Sequence, residues 1–145
     1  MAKKSILDHL PTRSKQLKLE KNTHSNMGSQ KDIIPTEDHE QAIFVQWFRR
    51  TYSDVLIFSI PTGGHRHIAV ATKMKVTGAV KGIPDLFVPE WHLWVEMKRT
   101  KGGVVSNEQF GMIDYLQSVG YRVIVGKGAE NAKAQILEFL NEERT

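Results

Sequence analysis

The sequence predicts an α/β fold in which helices flank a mixed β-sheet. Two short apolar runs, 86–88 and 93–95, are separated by a turn that contains proline, which indicates a β-hairpin. A helical pattern then links this hairpin to a third apolar run at 121–125, and such a crossover makes the strands that it joins parallel. Amphipathic helical patterns precede and follow this region, over 36–48 and 129–142.

Residues 36–60 predict a helix followed by a strand. Thr36 is expected to cap the helix, with Glu37 and Asp38 in a first turn where acids suit the helix dipole. Glu40 lies one turn before Phe44, so we expect it at the edge of the buried face, beside a cleft. The apolar run at 55–60 predicts an internal strand. The expected buried stripe consists of Ile43, Phe44, Trp47 and Phe48.

The segment between Asp54 and Asp85 has no acidic residue but several basic ones. It breaks at Pro61 and continues through a short helix expected from residue 68 to 74, ending near Gly78. Because it leads into the hairpin, we expect a rim that contacts phosphate groups rather than a basic loop that arose by chance. With the turn after the hairpin, the expected contacts are His65, Arg66, Lys73, Lys75, Lys81, Arg99 and Lys101.

The hairpin brings two carboxylates together. If Val88 faces Leu93, then Asp85 faces Glu96, and alternation along the strand puts Lys98 on the same face. Opposed carboxylates roughly 4.5–5.5 Å apart repel each other, so they need a compensating charge, usually a divalent cation. Alternatively, Asp85 could be an ordinary turn acid and Glu96 a surface strand acid paired with Lys98. This explanation suits each carboxylate singly, but it explains less well why both lie on one face with Lys98.

The C-terminal third predicts a helix, a strand and a helix. Ser106 and Gln109 fit a capping box, which is a complete structural explanation for Gln109. The helix is expected to end at Gly120, before a strand over 121–125. The last helix, 129–142, is expected to direct Ile136, Phe139 and Leu140 inward.

Composition limits the class of protein. The absence of cysteine excludes disulfides and thiolate metal sites, so oxygen or imidazole would hold any metal. No apolar run approaches the ~20 residues of a membrane span and no signal peptide is visible, so we expect a cytoplasmic location. Residues 1–31 carry seven Lys/Arg against two Asp/Glu, whereas 32–145 carry thirteen against fourteen. We therefore expect residues 1–35 to be a basic arm, flexible or docking on a partner, and 36–145 to be one domain.

The order of motifs resembles that of the VRR-NUC branch of the PD-(D/E)XK, restriction-endonuclease-like nucleases. Pro84-Asp85 followed by Glu96-Met97-Lys98 matches the superfamily signature, which alone is too short to be specific. The wider pattern covers about residues 36 to 140 and adds Glu40-Gln41, Pro61 to Arg66, Gly78 to Asp85, and Ser106-x-x-Gln109. The resemblance implies a restriction-endonuclease-like core.

The resemblance also implies a metal-dependent DNA endonuclease that uses Mg²⁺ or Mn²⁺. Lys98 is expected to position the attacking water and to stabilise charge on the scissile phosphate. Gln109 is expected near the active site, a use that competes with its capping role. The implied metal ligands are Asp85, Glu96, the backbone carbonyl of Met97, and Glu40 directly or through water.

Two other functions stay open: a DNA-binding module that keeps the nuclease fold without cutting, and a small-molecule phosphohydrolase or nucleotide-binding protein. The intact Asp85, Glu96 and Lys98 argue against the first, and the lack of a Walker-type glycine pattern argues against the second. We expect a domain this small to select DNA structure (branches, flaps or Holliday junctions) rather than a long sequence. A homodimer is expected because a junction needs two cuts. Stand-alone family members of phages and bacteria imply a bacterial cell or a phage-infected host.

Overall fold

The computed structural model describes residues 33–61 and 68–145. The predictions made for the basic arm up to residue 32, and for His65 and Arg66, lie outside these residues. Contacts divide the chain into two units, residues 1–33 and 34–145, and every helix and strand given below belongs to the second. No helix within the described ranges is long and apolar enough to cross a membrane.

The second unit is a four-stranded sheet with four helices, so the predicted α/β class is confirmed. The strands lie in the order β1-β2-β3-β4; β2 is antiparallel to both β1 and β3, and β4 is parallel to β3. In chain order the elements are α1 (Glu37–Thr51), β1 (Phe58–Ser59), α2 (Ile68–Val76), β2 (Leu86–Val88), β3 (Leu93–Lys98), α3 (Asn107–Ser118), β4 (Arg122–Lys127) and α4 (Ala129–Glu143).

The hairpin of β2 and β3 has the predicted register. Val88 pairs with Leu93, and Leu86 pairs with Val95. A single turn of 3₁₀ helix, Pro89–Trp91, joins the two strands, and His92 completes the turn in the left-handed conformation with φ of 47°. The register therefore continues outward to bring Asp85 opposite Glu96.

The core lies between one face of the sheet and helices α1 and α4. The side chains of Leu86 and Val88 in β2, and of Leu93 and Val95 in β3, are fully or almost fully buried on this face. Helix α1 contributes Phe44 and Phe48, and α4 contributes Ala132, Ile136 and Phe139. Side chains alternate along β3, so Glu96, which follows the core residue Val95, faces the opposite side of the sheet, where α3 lies. The two faces thus separate the apolar core from the polar residues of the hairpin.

Trp91 packs on its own chain. Its ring centroid lies 5.2 Å from that of Phe48, 5.2 Å from that of Tyr52 and 5.8 Å from that of Phe139. The side chain is half-buried. The turn of the hairpin is therefore fixed to both α1 and α4, which holds β2 and β3 in place.

Two predictions about the first elements were wrong. The strand expected over 55–60 is only Phe58–Ser59, and it forms an edge of the sheet instead of its interior. Strand β1 is short because its partner β2 lies between Pro84 and Pro89, and proline has no backbone N–H to extend the hydrogen-bonded ladder between the two strands. Ile43 is 37% exposed, because the buried face of α1 follows an i, i+4 spacing through Glu40, Phe44 and Phe48.

Gly82 fixes the loop that leads into β2. Its φ is +82°, and a Cβ at this position would lie 2.5 Å from the backbone oxygen of Glu108. A side chain would therefore meet both backbone strain and a clash that cannot be relieved by rotating a neighbour. This close approach seats the segment before Asp85 against the start of α3.

Candidate active site

Asp85, directly before β2, and Glu96, in β3, lie on the face of the hairpin that α3 covers. Asp85 is half-buried, and its Oδ2 atom accepts a hydrogen bond of 2.7 Å from the N–H of Met97. Glu96 is only 1% exposed. The backbone of β3 therefore holds the aspartate carboxylate beside that of the glutamate.

Lys98 forms ion pairs with Glu96 and with Glu37. It is 6% exposed, and its Nζ atom lies 2.7 Å from Glu96 Oε1. The same ammonium lies 3.9 Å from Oε1 of Glu37, in the first turn of α1. An ion pair this deeply buried must offset a large desolvation cost, which is typical of a functional site more than of a stabilising contact.

Gln109 connects α3 to the site. Its Oε1 atom accepts from the N–H of Ser106 at 2.9 Å, and its own N–H donates to Ser106 Oγ at 3.2 Å, so the predicted capping box is present. Its Nε2 atom donates to Glu96 Oε1. The prediction that these two uses compete was wrong, because they employ opposite ends of the amide. The cap orients the amide so that its donor end faces Glu96.

Negative charge at this site is under-compensated. Burial, opposed by the hydrogen bond from Lys98 and assisted by the charge of Asp85, raises the pKa of Glu96 to about 7. Burial also raises the pKa of Asp85, although the N–H of Met97 and the charge of Lys98 oppose it. Within the described part of the chain, the buried Oε2 atom of Glu96 has no hydrogen-bond partner. One lysine therefore does not satisfy both carboxylates.

These donors fit a hard divalent cation. Carboxylate oxygens of Asp85 and Glu96 are suitable ligands, and the unpartnered Glu96 oxygen lacks only an electropositive neighbour. In residues 33–61 and 68–145 no group of three or more His, Cys, Asp or Glu side chains could hold a metal alone. Mg²⁺ commonly binds one or two protein carboxylates and completes its shell with water and substrate phosphate. Two carboxylates are thus a sufficient protein contribution.

Glu40 does not join this pair. Its Oε1 atom accepts from Thr100 Oγ1 at 3.0 Å, and its Oε2 atom accepts from the N–H of Ala129 at 2.7 Å. The acid of α1 that faces Lys98 is Glu37, whose position in the first turn predicts only an interaction with the helix dipole. The one available signal was that Glu37 and Glu40 lie three residues apart, so both project from nearby parts of one helix surface.

The basic residues proposed to contact phosphate lie on different elements. Arg99 follows β3 directly; burial raises the pKa of Glu37, and the charges of Lys98 and Arg99 oppose that rise. Lys73 and Lys75 lie on α2, none of whose residues is buried. The predicted phosphate contacts that the structure describes are all solvent-exposed: Lys73, Lys75, Lys81, Arg99 and Lys101.

The raised pKa of Glu96 predicts a pH-dependent stability in the absence of metal. Glu96 keeps its proton in the folded state up to about pH 7, whereas its ordinary pKa is 4.5. The folded state therefore binds more protons in this window, and stability is lost as pH rises from about 5 to about 8, by about 3 kcal/mol. Urea unfolding in EDTA at pH 5, 6, 7 and 8 measures this loss.

Glu96→Gln should remove most of this pH dependence, because a glutamine does not titrate. Glu138→Gln, at an exposed position on α4, is the matched control and should retain it. An equal slope in wild type and Glu96→Gln would show that another group carries the pH dependence.

One comparison with known proteins bears on the fold. A solved structure described as a "VRR_NUC domain protein" superposes with a TM-score of 0.60 and 26% sequence identity, covering 74% of this chain and 89% of that chain. No protein-family model matches the chain, and no curated protein matches it. The predicted restriction-endonuclease-like core is confirmed by this superposition. The chain is therefore similar to a VRR_NUC domain protein in sequence and in fold, and this similarity implies a nuclease-family domain.

Proposed function

We propose that this protein is a divalent-metal-dependent DNA endonuclease that hydrolyses phosphodiester bonds. The observation that carries the proposal is the convergence of Asp85, Glu96 and Lys98 on one face of the hairpin in a nuclease-family fold. The buried, unpartnered oxygen of Glu96 supports a cation at this place. A simple structural ion pair would leave neither an unpartnered oxygen nor two carboxylates with raised pKa values.

Mg²⁺ or Mn²⁺ would be held by the carboxylates of Asp85 and Glu96 and by the backbone carbonyl of Met97. A cation bound there lowers the pKa of a water molecule and neutralises charge on the scissile phosphate. The chain pre-organises these ligands: the N–H of Met97 fixes Asp85, and the amide of Gln109 fixes Glu96. Neither carboxylate has to reorient when substrate arrives.

Lys98 has the position of a residue that acts in chemistry. Its ammonium is held at the acidic cluster by Glu96 and is shielded from bulk solvent. In such an environment its charge stabilises negative charge that develops on a phosphate more strongly than an exposed lysine would. The same ammonium can donate a hydrogen bond to the attacking water and so orient it.

DNA is the proposed partner, and Lys73 and Lys75 are proposed to contact its phosphates. Replacing either with Ala should weaken binding to all sequences alike and reduce the slope of log K against log salt by about one unit. Fluorescence anisotropy over a salt series measures the slope. Lys133→Ala is the control, since Lys133 lies on a different helix, α4, and pairs with Glu130. An unchanged slope in both variants would place the DNA path elsewhere.

The proposed substrates are branched DNAs such as flaps and Holliday junctions. The described part of the chain is one small sheet with four helices, which offers little surface for reading a long base sequence. A cleavage panel of duplex, single strand, flap and four-way junction, each with Mg²⁺, Mn²⁺ or EDTA, tests the proposed function. Metal-dependent cutting supports it. DNA binding without cutting under any condition would contradict it and favour a non-cleaving DNA-binding module.

A two-fold homodimer is proposed as the active assembly, because it would place two sites on the two strands of a junction. Sedimentation equilibrium at micromolar concentration, with and without junction DNA, is expected to give a mass near twice the 16.5 kDa of one chain. A chain that stays monomeric on junction DNA would contradict symmetric cutting and favour nicking of one strand at a flap.

A further inference from the structure

Helix α1 carries three acids in its first turn, Glu37, Asp38 and Glu40, and the surroundings of Glu37 and Glu40 differ. Both oxygens of Glu40 are engaged, by the hydroxyl of Thr100 at 3.0 Å and by the N–H of Ala129 at 2.7 Å. Ala129 is the first residue of α4, whose N-cap, Gly128, has no side chain to satisfy the free N–H groups of the first turn. Glu40 therefore caps α4 from another helix, and its negative charge suits the positive end of the α4 dipole.

The surroundings of Glu40 leave it little freedom. The N–H of Gly128 donates to the backbone oxygen of Lys98 at 2.8 Å, so the end of β3 is tied to the start of α4. A Cβ at position 128 would clash with Thr100 Oγ1 and would lie 3.4 Å from Glu40 Oε2. Because Glu40 is 8% exposed, turning it towards a cation would leave a buried N–H and a hydroxyl without their acceptor.

Glu37 has the opposite environment. Its side chain is 40% exposed, and its Oε1 atom lies 3.9 Å from Lys98 Nζ, which in turn contacts Glu96. The Glu37 carboxylate is thus close to the ammonium that pairs with Glu96, one of the two proposed metal ligands, and solvent reaches it. A partly exposed carboxylate can reorient, or bind through water, at little cost.

We propose that Glu37, not Glu40, is the acid of α1 that adds its charge to the cation site, whereas Glu40 is a positioning residue that anchors the segment after β3 to α4. The inference rests on the proposed metal-dependent function. It assigns Glu37 and Glu40 to different tasks. The same change from carboxylate to amide should therefore affect Mn²⁺ affinity at position 37 and stability at position 40.

The test compares Glu37→Gln with Glu40→Gln in two measurements that need no substrate: Mn²⁺ affinity by titration calorimetry, and Tm in EDTA. Glu37→Gln should weaken Mn²⁺ binding about 10-fold and leave Tm unchanged or higher. Glu40→Gln should lower Tm by about 4–8 °C, because the amide can accept only one of the two hydrogen bonds, and should leave Mn²⁺ affinity unchanged. Thr100→Val removes one donor while keeping the Glu40 carboxylate, and should likewise lower Tm alone.

Each result decides the assignment. Weaker Mn²⁺ binding in Glu40→Gln, with normal binding in Glu37→Gln, would overturn it. Normal Mn²⁺ affinity in Glu37→Gln, together with lost Mn²⁺ binding in Asp85→Asn, would also overturn the assignment. That combination would leave the proposed function intact. If Glu40→Gln does not fold, Thr100→Val with reduced Mn²⁺ affinity would also overturn the assignment. Failure of wild type to bind Mn²⁺ at all would contradict the proposed function itself, and this inference with it.

Discussion

Asp85→Asn and Glu96→Gln should each abolish DNA cleavage while leaving DNA binding in EDTA largely intact. Each replacement keeps the volume and one oxygen acceptor, so the hydrogen bonds from Met97 and Gln109 can persist while a ligand charge is lost. Removing a ligand to the proposed cation removes its stabilisation of the transition state, so the expected loss is at least 10³-fold. Initial rates on the best substrate of the cleavage panel, with anisotropy for binding, measure both quantities.

Two isosteric controls separate this effect from a general loss of acidic charge. Asp114→Asn changes an exposed acid of α3, and Glu138→Gln changes one of α4; both should cleave at the rate of wild type. Cleavage that survives in Asp85→Asn or Glu96→Gln within 10-fold of wild type would mean that the hairpin pair does not hold the catalytic cation.

Lys98→Met should lower the turnover rate by about 10²–10⁴-fold with little change in the affinity for DNA. Methionine occupies a similar volume without the charge, which limits the packing defect at this buried position. Single-turnover rates at saturating enzyme measure chemistry apart from binding. Lys101→Met, at an exposed position that is an expected phosphate contact, is the control and should lower DNA affinity with little change in the turnover rate. If the whole deficit of Lys98→Met lay in DNA affinity, Lys98 would be a phosphate contact instead of a residue that acts in chemistry.

The hairpin and the capping box could be predicted because both depend on local sequence. The turn between Val88 and Leu93 has a fixed length, and strand alternation then decides which side chains share a face. Ser106 and Gln109 have the spacing of a capping box, which is a contact within one turn. The donor end of the Gln109 amide could not be assigned in this way, since its partner Glu96 lies on another element.

The roles of the α1 acids could not be predicted because they depend on tertiary contacts. Glu40 meets Ala129, 89 residues away, and Thr100, 60 residues away, and no pattern within the helix encodes either contact. The position of Glu37 in the first turn of α1 is fully explained by a favourable interaction with the helix dipole, so the sequence gives no sign that this turn lies beside Lys98 in the fold. The edge position of β1 was missed for a similar reason: an apolar run does not reveal how short its partner strand is.

The central claim is that a divalent cation binds between Asp85 and Glu96, and titration of Mn²⁺ by isothermal calorimetry tests it most directly. Wild type, Asp85→Asn, Glu96→Gln and the control Glu138→Gln would be titrated at pH 8, above the raised pKa of Glu96 of about 7. We expect one Mn²⁺-binding event in wild type and in the control, and a loss of affinity of at least 10-fold in both hairpin variants. Mn²⁺ affinity equal to that of wild type in both Asp85→Asn and Glu96→Gln would contradict the claim.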